Sequence, residues 1–397
     1  MKKVAIVSCY FKYNYGSVLQ ALATQMALDK LGYDNETIDI SLISKEIRKE
    51  KFKYFIKASL TSDILLSKFG MLKNLLIKKL LKNEYVSQTK IREDKFEEFI
   101  RNKFRLSDKS KSKEELTQTA KKIYSSILVG SDQLWLPGNI AGDYYTLNWA
   151  PDGINTIAYA TSFGQAILPN DSKHKATVFL NHIKHIGVRE ESGQSIVKEL
   201  TGRNVPIVCD PTLLFTGNDW LSIQDNAPLY NEPYIFVYFL GNNPIHREFV
   251  KKLKKETGTK IVALLHLDEY IKTDEDYADY TPYDIGPAEF LNLVRHSKYV
   301  CTDSFHCSVF SILYEKAFFS FRRYNRKTAT STNSRLDTLF KLTGITNRII
   351  NGNEDIKDVL EREIDYTTVN SNLNLIRTAS YEYLMTSLNN ERDTDLC

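Results

Sequence analysis

Cysteine is scarce in this chain of 397 residues: there are five, scattered, with none of the close pairing that a zinc site requires. Cys9, Cys209, Cys301, Cys307 and Cys397 sit mostly in apolar, strand-like sequence and read as buried thiols in a reducing cytoplasm. Long apolar runs are absent too. No uninterrupted stretch reaches about 18 residues, so nothing reads as membrane-spanning. The opening MKKVAIVSCYFKYNYGS has no small-residue cleavage site, which makes it a first strand and not a signal peptide. Excess charge of one sign is missing: a net +4 over this length is too small to announce a nucleic-acid binder. The sequence carries no GxGxxG or P-loop pattern, no HExxH, no EF-hand loop, no GxSxG elbow and no kinase set. His174, His182 and His185 lack an acidic or cysteine partner at ligand spacing and read as exposed helix surface, so no metal or cofactor is expected.

What is present is length for two or three domains, with 42% hydrophobic residues to fill their cores. The first half alternates strands and helices. VAIVSCY leads through KYNYGS into a helical pattern ending at Gly32, and ETIDI follows, which is a βαβ unit. Lysine-rich helical sequence fills roughly residues 45–122. Strand-like runs then recur at 123–130, 155–161, 184–190 and 205–211, and their lack of strict alternation suits parallel strands covered on both faces. A polar segment at 215–232 reads as a join. A second alternation follows, with strands at 234–240, at 260–266 and from 299, and helices between them. The expected fold is α/β, with two Rossmann-like domains facing a cleft: 1–220 carrying a basic helical insertion, 233–350, and a helical segment over 351–397.

In such sheets ligands bind outside the carboxyl ends of the strands. His306 stands at one of these ends, where a short apolar strand turns through Thr302, Asp303 and Ser304 into a helix. Loose N–H groups there suit an anion beside which an imidazole donates a proton; alternatively Asp303 or Ser304 caps the helix and His306 merely occupies its first turn. Cys307 points about 100° away from His306, as helix neighbours do, and reads as filler. Other strand ends offer Asp132, Gln133 and Trp135; Ser162, Phe163 and Gly164; Arg189, Glu190 and Ser192; and Asp210, which reads as a turn residue before Pro211. An aromatic platform with carboxylates and amides is what a sugar site needs. In the first loop Asn14 and Gly16 read equally as sugar or phosphate contacts and as a turn and helix cap.

Seven segments in order, NYGSVLQALATQMALDKLGY, VGSDQLW, YATSFG, GVREESG, CDPTLL followed by Trp220, TDSFHCSVFSILYEKAF and NSRLDTLF, resemble the polysaccharide pyruvyl transferase family over almost the whole chain. The resemblance implies two Rossmann-like domains in a GT-B-like arrangement. It also implies transfer of the enolpyruvyl group of phosphoenolpyruvate to a sugar of a cell-surface polysaccharide or its lipid-linked precursor, closing a pyruvate ketal and releasing phosphate. On this resemblance His306 is the general acid, Arg189 grips the donor and Arg335 is a second donor contact. Some relatives carry an arginine where this chain has Ser304, and Arg322, Arg323 and Arg326 are candidates to replace that cation. Asn14, Tyr15, Gly16, Gln133, Trp135 and Ser162 are the expected acceptor contacts, with Asp132 as a possible base.

The basic stretch 45–82, interleaved with aromatics and leucines, reads either as a surface lying on an anionic membrane or as an insertion packed on its domain. The expected location is the cytoplasm, with contact at the inner membrane face under the first of these readings. Two other functions compete. A nucleotide-sugar glycosyltransferase of similar architecture needs a nucleotide contact that the sequence does not offer. A noncatalytic glycan-binding protein would keep His306 and Arg189 in separate places.

Overall fold

The computed structural model describes residues 3–58, 83–266, 271–274, 276–323 and 334–389. Two five-stranded sheets organise it. The first has the order β2-β1-β3-β4-β5, built from β1 (Lys3–Val7), β2 (Asn35–Thr37), β3 (Tyr124–Asp132), β4 (Asn155–Thr161) and β5 (His185–Val188). The second has the order β10-β9-β8-β6-β7, from β6 (Tyr234–Tyr238), β7 (Lys260–Ala263), β8 (Tyr299–Thr302), β9 (Ala317–Phe321) and β10 (Ile349–Ile350). Every strand pairing within them is parallel. Parallel sheets covered on both faces need apolar side chains in both directions, which is why Val4 to Val7 and Ile235 to Val237 are all buried. Among the expected strands, 205–211 forms only a bridge from Ile207 to Val188, because Asp210 and Pro211 turn the chain into a short 3₁₀ helix. His185 opens β5 and does not extend a helix.

Helix α1 (Tyr15–Lys30) explains how the halves hold together. It is capped by Asn14, whose side chain accepts from the Ser17 N–H, and it is buried almost all round from Tyr15 to Leu28. A helix apolar on every side belongs in a core. Its first turn reaches the second half: the Tyr15 hydroxyl donates to the Ile285 carbonyl at 2.8 Å, and the Tyr15 ring stacks on Phe290 at 4.5 Å. The segment expected as a plain join is part of the same core, with Trp220 fully buried and edge-on to Phe310 at 5.0 Å.

The basic insertion contributes α2 (Ser44–Ala58), α3 (Asn83–Lys103) and α4 (Lys113–Ile123). Helix α2 buries Ile47 against the first sheet's core. Helix α3 spans the halves, with the buried Arg92 donating to the carbonyls of Leu265 and Pro282. Of the stretch 45–82 on which the membrane reading rests, residues 59–82 lie outside the described residues. At the other end, α5 (Tyr366–Asn389) returns to the first sheet, where Tyr383 donates to the Ala158 carbonyl and Asn155 to that of Ser387. Among the described residues no helix is long and apolar enough to cross a membrane.

Candidate active site

The carboxyl ends of β3, β4, β5 and β8 converge with the first turn of α1. Strand β3 ends at Gly130, Ser131 and Asp132. Gly130 has φ +153°, and a Cβ there would stand 2.0 Å from the Tyr159 carbonyl oxygen of β4, so only glycine fits. Asp132 carries φ +77°, a conformation costing on the order of 1–2 kcal/mol. Its contacts offset that: Ser17 donates to one oxygen at 3.1 Å and Arg189 to the other at 3.2 Å. Gln20 fixes the same turn from α1 by accepting from the Ser131 N–H at 2.8 Å.

Arg189 lies directly after β5 and is fully enclosed. Its Nη1 donates to Asp210 Oδ2 at 2.7 Å, and its Nε faces Glu190 at 3.7 Å without a hydrogen bond. Asp210 is the hub. Its Oδ2 also accepts from the Ser131 hydroxyl at 3.2 Å and faces His306 Nε2 at 3.3 Å, while Oδ1 accepts from Thr212 Oγ1 at 2.7 Å. Burial pushes this carboxyl up, but His306, Arg189 and Thr212 outweigh it and hold it well below the usual carboxylate range. Asp132 behaves likewise, with Arg189, His306 and Arg335 overcoming the cost of burial. Glu190 is the exception: burial raises its pKa despite Arg189 and the 2.6 Å bond from Ser162.

His306 reaches this cluster from the other half of the molecule. It occupies the first turn of the helix Phe305–Leu313, which Ser304 caps by accepting from the Cys307 N–H. The imidazole is 6% exposed and rests against Gly16: a Cβ at position 16 would lie 2.1 Å from Nδ1. Gly16→Ala is therefore expected to displace the ring by an ångström or more and lower turnover about 100-fold with the fold intact. Steady-state rates beside a thermal melt check this.

Phe305 is the floor between two arginines. Its ring lies 4.8 Å from the Arg189 guanidinium and 5.8 Å from that of Arg335. Arg335 stands in the first turn of the helix Ser334–Thr343 and is 8% exposed, yet its nearest carboxylate oxygen, on Asp132, is 3.7 Å away. Among the described residues it forms no hydrogen bond, and its buried Nε has no partner. Burial, then the like charge of Arg189, push its pKa down to about 10. Arg323, half-buried after β9, donates from Nη2 to the Asp303 carbonyl at 3.5 Å, and its Nε faces the buried Asp303 Oδ1 at 4.0 Å without a hydrogen bond among the described residues. Arg189 is thus neutralised by protein carboxylates, whereas Arg335 and Arg323 retain donors for an anion.

The family model for polysaccharide pyruvyl transferase matches residues 14–324. The chain belongs to that family. The match covers the carboxyl ends of β3, β4, β5 and β8 but stops short of Arg335, and it makes the protein a transferase acting in polysaccharide biosynthesis. Solved structures agree on architecture. A putative UDP-N-acetylglucosamine 2-epimerase from Listeria monocytogenes superposes with a TM-score of 0.53 at 10% identity, over 99% of this chain and 97% of that one. The UDP-N-acetylglucosamine 2-epimerase from Rickettsia bellii gives 0.50 at 10% identity, over 99% and 98%. At that distance they show the fold alone, two parallel α/β halves flanking a cleft in a GT-B-like arrangement. A comparison with curated proteins found no match.

Within the transferase, several residues expected to touch substrate do something else. Trp135 is fully buried, its indole donating to the Tyr145 carbonyl at 3.1 Å between Phe163 and Phe179, so it offers no platform to a sugar. Tyr15 is core, and Ser162 is a buried brace for Glu190. Gly16 is covered by His306, and the Asn14 side chain caps α1. Gln133 is half-buried, with its amide against the Gly164 carbonyl at 3.5 Å. Asp132 is too strongly ion-paired to serve as a base near neutral pH. Ser304 is engaged as a cap, and Arg322 is bound at 2.7 Å to Asp337 on the surface. Arg326 lies outside the described residues.

The residue that sequence reasoning undervalued is Asp210. It looked like a turn before proline and is that turn, but the turn aims its carboxylate at both Arg189 and His306. Asp210→Asn is expected to cost roughly 3 kcal/mol near pH 7 by leaving buried cations undercompensated. Because the folded pKa is depressed, this contribution is fully present above the unfolded value of about 4 and fades as pH falls below it. Melts should show the gap between wild type and variant shrinking as pH drops from about 5 to about 3; a constant gap would contradict the assignment.

Proposed function

We propose that the transferase binds phosphoenolpyruvate between His306 and the Arg335–Arg323 pair and uses His306 as its general acid. The observation that carries this reading is convergence: His306 and Arg189, from different halves, face one oxygen of Asp210, with an underneutralised arginine beside them. The donor carries a carboxylate and a largely dianionic phosphate, and buried guanidinium donors suit both groups.

In the proposed reaction His306 gives its proton to the methylene carbon, the double-bond electrons form the new C–H bond, and positive charge develops at the neighbouring carbon. A sugar hydroxyl adds there and its proton returns to His306. The C–O bond to phosphate then breaks, a second hydroxyl of the sugar adds to the same carbon, and its proton leaves with the phosphate. Asp210 holds the imidazole in position. Arg189, already surrounded by carboxylates, keeps Asp132 and Asp210 in place instead of gripping the donor.

Running the reaction in D₂O tests the protonation step. One deuterium in the product methyl group is the expected result; a product that retains the vinylic CH₂ without solvent hydrogen would rule out His306 as a carbon acid.

A further inference from the structure

We propose that a second cavity, lined by the loop that leads from β1 into α1, binds the phosphate of a phosphorylated sugar acceptor. This rests on the transferase reading and deepens it, because it assigns the acceptor a charged group. The cavity, of about 590 Å³, opens at the carboxyl ends of β1 and β2 and against α2. Its cations are Lys12, Arg48 and Lys51, and its aromatic walls include Tyr10, Tyr144 and Tyr145; among the described residues no carboxylate lines it, and that of Asp39, next to the lining residue Ile40, accepts from the Ser41 N–H through Oδ1.

Three observations point to a phosphate ligand. The first is unpaired positive charge: among the described residues, none of the three cations forms a salt bridge. The Lys51 ammonium donates to Asn139 Oδ1 at 2.6 Å and lies 5.8 Å from the Tyr145 ring centre. Arg48 donates only to its own helix, at Ser44. Burial, and then the like charge of Lys12, push the Lys51 pKa down, a penalty that an anion would relieve. The second is Tyr144, which is 1% exposed and whose hydroxyl is buried without a hydrogen bond among the described residues. The third is the combination of aromatic faces for a sugar ring with three cations, which matches a multiply charged phosphate better than a single carboxylate.

Position links the cavity to the chemistry. Lys12 on its rim precedes Gly16, which packs on His306, by four residues, a stretch of chain that spans at most about 14 Å. A short saccharide anchored by its phosphate in the cavity can therefore present hydroxyls to the donor site.

Inorganic pyrophosphate is the first probe, titrated calorimetrically into the full chain with phosphoenolpyruvate at saturation to occupy the donor site. Binding is expected to persist in wild type and to weaken at least 10-fold in Lys51→Met and in the exposed-site variant Arg48→Gln, with donor affinity unchanged. Pyrophosphate that is displaced by phosphoenolpyruvate, or that binds both variants as well as wild type, overturns the proposal. Hexose 1-phosphate and a short prenyl diphosphate in detergent then serve as competitors. Competition by the first points to a soluble sugar phosphate, competition by the second to a lipid-linked one, and competition by neither counts against the cavity as an acceptor site. The titration needs no turnover, so its failure is separable from failure of the pyruvyl transfer reading.

Discussion

Replacing His306 by glutamine is expected to lower turnover by about 10³-fold while phosphoenolpyruvate still binds. General acid catalysis by a positioned side chain contributes about 10²–10⁴-fold, and the acid proposed here must protonate carbon. Glutamine keeps an amide near Asp210 and comparable bulk against Gly16, so the loss should appear in kcat with little change in KM for the donor or in melting temperature. The alternative role, an imidazole that only binds phosphate, predicts the reverse: a raised KM with kcat largely kept. Steady-state kinetics with His306→Gln and His306→Ala separate the two.

Arg335→Gln is expected to raise KM for phosphoenolpyruvate about 100-fold and to leave the free protein as stable as wild type, or more so. The guanidinium is buried beside Arg189 and half-paired with Asp132, so removing it relieves an unfavourable charge in the unliganded state. A charge-assisted hydrogen bond lost from the complex costs about 1.5–3 kcal/mol, and each 1.4 kcal/mol is tenfold in affinity. Arg189 should respond in the opposite sense. Its charge is the shared partner of Asp132, Glu190 and Asp210, so Arg189→Gln should lower the melting temperature before any effect on donor affinity can be read. Calorimetric binding of the donor and melts of both variants check the contrast. Equal destabilisation by both, or an unchanged donor affinity in Arg335→Gln, would remove Arg335 from the donor site.

The architecture was legible because the information that sets it is local. Short apolar runs separated by helices with capped ends encode parallel strands covered on both faces, and the Ser304–His306 turn lies where a strand end must meet a helix start. Among the residues that the family segments singled out, His306, Arg189 and Arg335 lie together around Phe305 and Asp210. Contacts between segments far apart in sequence were not legible. Nothing near Trp135 or Tyr15 distinguishes an aromatic on a cleft wall from one in a core, and that difference is made by Phe163, Phe179 and Phe290 packing on them. Asp210 was passed over because its local role as a turn and cap residue accounts for its type completely. Its second role depends on Arg189, 21 positions away, and on His306, 96 positions away. Phe305 gave no signal either, since its apolar side chain fits the helix pattern while its ring supports two guanidinium groups.

The most direct test is phosphate release from phosphoenolpyruvate by the purified protein across a panel of galactosides, glucosides and acetylhexosaminides, free and 1-phosphorylated, with His306→Ala in parallel. The account predicts release that requires one of these sugars and is lost in the variant. Release that is independent of sugar, or that survives in His306→Ala, would contradict it.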